Sequence, residues 1–200
     1  MSITASLETT ESPGTHPAEE SLDLRKLAMW VFLSSEVIFF TALIATFLVY
    51  QNRSVSGPGQ ELLNIPLTSL NTFILIISSL TMVLSLNAAI KDEQRAMKLW
   101  LLATIILGAT FLGIQGYEYL KLWQEGLTPT VNLFGSAFYT LTGFHGTHVF
   151  VGVIILLGVL LKALLGGFGS KHYLPIELAG LYWHFVDLVW ILIFTLIYLI

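Results

Sequence analysis

Five long apolar runs leave this chain few folds to choose from. They cover residues 27–50, 66–90, 97–123, 133–165 and 175–200. Each is long enough to cross a hydrocarbon layer about 30 Å thick, which takes roughly 20 helical residues at 1.5 Å rise. A segment alone in lipid must satisfy its own backbone hydrogen bonds, so each run reads as a helix. The predicted fold is all-α, an integral membrane bundle of five transmembrane helices. Composition agrees: 55% of the 200 residues are hydrophobic and 11% charged, against about 25% charged in a soluble domain.

The breaks between runs carry turn chemistry. A polar stretch with Asn52, Arg53, Gly57, Pro58 and Gly59 ends the first run, and Pro66 opens the second, where a missing N–H costs nothing. The charged turn Lys91-Asp92-Glu93-Gln94-Arg95, the stretch Gln124-Glu125-Gly126 before Pro129, and Gly166-Gly167-Phe168-Gly169-Ser170 separate the rest. Residues 1–24 read as a polar, mobile N-terminal tail rich in Ser, Thr, Glu and Pro. They lack the basic stretch and short apolar core of a cleaved signal. Residues 25–200 read as one transmembrane domain.

Lys and Arg near the helix ends set the expected orientation. With a cytoplasmic N-terminus, Arg25, Lys26, Lys91, Arg95, Lys98, Lys162 and Lys171 lie inside, and only Arg53 and Lys121 lie outside. Five spans then put the C-terminus on the outer side. The sequence contains no cysteine, which excludes disulfides, thiolate metal sites and thiol nucleophiles. The net charge of -4 comes without any basic patch, so no nucleic-acid partner is expected.

Six ionisable residues sit inside the runs: Glu36, Glu118, His145, His148, His184 and Asp187. Such groups are expensive in a bilayer and usually face protein. Counting residues from the ends of the runs places Glu36, His148, His184 and Asp187 at one level of the inner half. His145 falls nearer the midplane, and Glu118 near the outer surface. Three-residue spacing puts His145 with His148 on one helix face and His184 with Asp187 on another. If those faces meet the first helix, Glu36 gains imidazole partners and the cluster can hold or pass a proton. The plainer alternative is interhelical hydrogen bonding. For Glu118, beside Tyr117, Tyr119 and Trp123, an aromatic belt with a solvated carboxylate is expected. Gly143, Gly146 and Gly152 are expected to allow close helix approach, and Phe39, Phe40, Trp183 and Trp190 to pack. Two histidines on one helix face cannot both ligate one haem, a pair across helices such as His148 with His184 stays open, and the His and carboxylate count is too small for a diiron site.

At this point the motifs are similar to those of subunit III of the haem-copper oxidases. FLSSEVIFFT in the first run resembles that family's helix with a membrane-embedded glutamate, and PLTSLNTFILIISSLTM, GIQGYEY and FGSAFYTLTGFHGTHVFVG follow in order. SKHYLPIELAGLYWHFVDLVWILIF carries the Tyr-Trp-His-Phe-Val-Asp-x-Val-Trp signature. The resemblance implies an accessory subunit of a proton-pumping cytochrome c or quinol oxidase. Such a subunit carries no haem, copper or other metal, packs against catalytic subunit I with subunit II in the same complex, and holds phospholipid. It implies the cell membrane of a prokaryote and a supporting role in proton uptake for Glu36, His148, His184 and Asp187. Glu118 and His145 are further polar residues of the motifs. Longer members have seven helices, and this chain matches from their third. The alternatives are a similar accessory protein of a nitric oxide reductase, a small haem-binding membrane enzyme, and a proton-coupled transporter, which would normally show a repeat or broken helices.

Overall fold

A computed structural model describes residues 24–51, 57, 59–166 and 173–200. The tail before Leu24, the turn residues Asn52, Arg53 and Pro58, the stretch 167–170 and Lys171 lie outside the described residues. Five helices form: α1 (Leu24–Tyr50), α2 (Ile65–Ile90), α3 (Gln94–Gln124), α4 (Leu133–Leu164) and α5 (Leu174–Phe194). The final turn of the last span widens to π-helical bonding over Thr195–Leu199. All five are long and apolar enough to span a membrane, and no strand occurs among the described residues.

Local chemistry sets the helix ends. Asn64 starts α2, its side-chain oxygen accepting from the Leu67 N–H at 3.1 Å. Asn132 does the same for α4, accepting from Gly135 N–H at 2.7 Å. Such caps satisfy donors that the first helical turn leaves unpaired. At the end of α3, Gly126 takes φ +89°, and the Leu127 N–H reaches back to the Leu122 carbonyl at 2.9 Å. That left-handed closure suits glycine. Gly126→Ala is expected to destabilise the bundle by about 1 kcal/mol through backbone strain, read as a lower midpoint in a detergent denaturation series.

The helices form a ring in the order α1, α4, α3, α2, α5, closed by α5 against α1, with α5 also crossing against α4. Hydrophobicity cannot drive helices together in lipid, so small residues and hydrogen bonds must. The α2/α3 seam shows both: Thr81 and Thr104 hydroxyls meet at 2.8 Å, Ser85 donates to the Met97 carbonyl at 3.1 Å, and Asn71 donates to the Phe111 carbonyl at 3.2 Å. On α5, Trp183 and Trp190 are both buried. Their indole N–H groups donate to Ser78 and Thr72 of α2, each at 2.9 Å. Those two hydroxyls have already given their own hydrogens to α2 carbonyls, so each is free to accept. The Trp183 ring lies over Gly108 of α3 and Gly152 of α4, where a Cβ would come within 2.5 Å and 3.0 Å of it. Gly146 leaves room for the Gln115 side chain, whereas Gly143 has no neighbour nearer than the Tyr119 hydroxyl at 4.0 Å.

Candidate functional site

The structure separates the intramembrane polar residues into four places rather than one cluster. The first joins α1 to α4. His148 Nε2 lies 3.0 Å from Glu36 Oε2, and Nδ1 of the same ring lies 2.7 Å from the Phe144 carbonyl. A carbonyl can only accept, so Nδ1 carries a hydrogen. The remaining contact then needs one proton between Nε2 and Oε2, either on the imidazole as an ion pair or on the carboxyl as a neutral pair. Glu36 and His148 therefore share one transferable proton.

Rings fix this pair in place. Phe40 packs edge-on against His148 with centroids 5.0 Å apart, Phe39 lies 6.2 Å away, and Phe39 in turn meets Phe144. Both members keep a little exposure, 18% for the Glu36 side chain and 19% for that of His148. They line a cavity of about 620 Å³ between α1, α4 and α5. Met29, Phe32, Val151, Ile155 and Leu178 make its wall apolar. Of the lining residues, Glu36 and Tyr182 are the furthest from the starts of α1 and α5. At those starts, Lys26 and Glu177 form an ion pair at 2.7 Å.

The second place is the α2/α5 seam. Ser79 donates to Asp187 Oδ2 at 2.7 Å, and His184 Nδ1 lies 3.3 Å from the Ser79 hydroxyl. The expectation that four ionisable groups gather at one site is thus corrected. Among the described residues no hydrogen bond or ion pair links His184 or Asp187 to Glu36 or His148, and Phe40 packs against both His148 and Phe185. The 3.0 Å contact does put Glu36 and His148 at one level. Ser79, the residue that organises this seam, was not singled out from sequence.

His145 occupies the third place, alone at the centre. It is fully buried, stacked on Trp190 at 4.8 Å with Phe111 edge-on at 5.9 Å. Neither ring nitrogen has a hydrogen-bond partner among the described residues. Its three-residue offset from His148 brings the two rings near one another but to different surroundings.

The fourth place corrects the reading of Glu118 as a solvated belt residue. Glu118 is 3% exposed. Its Oε1 accepts from the Thr68 hydroxyl at 2.9 Å and the Tyr198 hydroxyl at 3.2 Å, tying α3 to α2 and to the last turn of the chain. The exposed aromatic residues Tyr117 and Trp123 sit on the other face of α3. The signal was available in the spacing of Thr104, Gly108, Phe111, Gln115, Glu118 and Leu122, which recur every three or four residues and are all buried.

These donor sets do not suit a metal. His148 has both nitrogens engaged, His145 is walled by rings, and no group of three or more His, Asp or Glu is placed to hold an ion among the described residues.

Comparison with known proteins places this arrangement. The profile of the family described as cytochrome c oxidase subunit III matches residues 7–200. Cytochrome c oxidase subunit 3 of Thermostichus vulcanus is 40% identical over 200 residues, 96% of this chain and 97% of that one. Its counterpart in Bacillus sp. (strain PS3) is 38% identical, covering 86% and 84%. Quinol oxidase subunit 3 of Bacillus subtilis (strain 168) is 36% identical, covering 88% and 87%. With the signature residues of all five helices in place and a match of this extent, the chain belongs to the cytochrome c oxidase subunit III family.

Proposed function

We propose that this chain is the accessory subunit III of a terminal oxidase that reduces oxygen to water and pumps protons, in the cell membrane of a prokaryote. Its N-terminus faces the cytoplasm. Haem and copper belong to the catalytic partner, subunit I, with subunit II in the same complex. The relatives support this by name, as subunits of cytochrome c and quinol oxidases. None of those three names supports the nitric oxide reductase or transporter alternatives.

The observation that carries the proton role is the 3.0 Å contact of Glu36 with His148. A pair that shares one proton between a carboxylate and an imidazole can hold or hand on that proton without itself forming a path across the membrane. In this reading the pair buffers protons for the catalytic subunit. The apolar cavity that both residues line accepts the acyl part of a phospholipid, since its walls are hydrocarbon and its volume is that of a small-ligand site.

Glu36→Gln tests this reading. The amide can still donate to Nε2 and keep the contact, but it cannot surrender the proton. The complex is expected to assemble, with turnover or turnover stability reduced within about tenfold, short of the 10²–10⁴-fold that loss of a directly catalytic proton-transfer group brings. Complete loss of oxygen reduction in an assembled complex would contradict an accessory role.

A further inference from the structure

Resting on the accessory-subunit reading, the α2/α5 seam is where the geometry points to a docking face for a transmembrane helix of a partner subunit, one that presents an O–H or N–H donor to His184 Nε2. With Asp187 ionised, the tautomer follows from hydrogen counting. The single Ser79 hydroxyl hydrogen goes to Asp187 Oδ2 at 2.7 Å. The 3.3 Å contact with His184 Nδ1 therefore has the imidazole donating, which leaves Nε2 as a bare acceptor in the neutral ring. Nε2 has no hydrogen-bond partner among the described residues, and it is not among the side-chain atoms sealed inside the bundle.

Depth decides what can satisfy it. His184 lies ten residues into the span Leu174–Leu199, about 15 Å along the helix, where lipid tails offer no donor and headgroups do not reach. An acceptor left bare in hydrocarbon is costly. The residues one turn away frame a surface suited to a helix. Leu188 on α5 is 59% exposed, and Ile76 and Val83 on α2, which share the Ser79 face, are also exposed. The occupant is thus a membrane helix, apolar around one donor side chain.

Photo-crosslinking residues placed at Leu188 and at Val83, in the full complex in its native membrane, test this directly, with Leu161 on the outward face of α4 as a comparison position. The expected result is an adduct from Leu188 and Val83 to a membrane-spanning peptide of another subunit, bearing a Ser, Thr, Tyr, Trp, Asn, Lys or Arg side chain at the contact. His184→Leu is expected to weaken retention of the chain in the detergent-washed complex by about tenfold, the scale of one interhelical hydrogen bond. His184→Gln, which keeps a donor for Ser79 and an acceptor for the partner, retains it. Adducts to lipid alone, or to a second copy of this chain, while an oxidase still co-purifies, overturn the face and leave the accessory reading intact. If no other subunit co-purifies, both fall.

Discussion

Valine in place of Gly108 is expected to destabilise the folded bundle by about 3 kcal/mol, the upper part of the range for overpacking a tight interior. An added Cβ would stand 2.5 Å from Cη2 and 2.8 Å from Cζ2 of Trp183, and 3.2 Å from a Val153 methyl. The indole has no simple way to yield. It is 1% exposed, held by its N–H on Ser78, and backed on the α4 side by Gly152. The measurement is the denaturation midpoint of the purified chain in mixed detergent. Adding Trp183→Phe to the same chain is expected to recover part of the loss, because the smaller ring vacates the contested space, so the two changes should be strongly non-additive. Gly113 is the control. A Cβ there meets nothing within 4 Å, and Gly113→Ala should be neutral or slightly stabilising through helix propensity. A neutral Gly108→Val would mean that α3 and α5 do not approach as described.

Leucine in place of Glu118 is the second large effect, expected to cost about 1–3 kcal/mol. It removes the acceptor of the buried Tyr198 hydroxyl, at a cost of about 1–3 kcal/mol, while the single Thr68 hydrogen, now given to Glu118, can turn to the Asn64 carbonyl at 3.0 Å. The loss should be local as well as global. The C-terminal turn is held by the Tyr198 hydroxyl and by Gln60, whose amide donates to the Ile197 carbonyl at 2.8 Å. Hydrogen exchange at residues 195–199 should therefore rise in Glu118→Leu before the rest of α5 loosens. Glu118→Gln keeps the accepting oxygen and should cost less than half as much. Equal behaviour of the two variants would contradict the hydrogen-bond account.

Particular residues show which parts of this structure could be read in advance. The five spans were legible because lipid allows a lone apolar segment only one backbone solution, and the run lengths left no choice. The Glu36 and His148 partnership was visible as a possibility, since a membrane carboxylate needs company and an imidazole lay at reach on another helix. Its separation from His184 and Asp187 was not. Helical spacing gives the direction in which a side chain leaves its own axis, but the crossing of neighbours decides what it meets. Ser79 shows the limit most clearly. A serine in an apolar helix can simply bond its own backbone, as Ser69 does with the Ile65 carbonyl. Only the approach of α5 makes Ser79 the link between an imidazole and a carboxylate. Glu118 was misread for a different reason. Its sequence neighbours are aromatic and exposed, yet neighbours in sequence point to other faces of a helix, and its true companions are three, four and seven residues away.

Affinity purification of the tagged chain from native membrane, with a haem spectrum and oxygen consumption recorded on the eluate and its chains separated, tests the central claim most directly. The account predicts that this chain elutes with a separate, larger membrane subunit that carries the haem, that the eluate reduces oxygen, and that this chain freed from its partners shows no Soret band. A stable chain that elutes alone and carries haem of its own would contradict it.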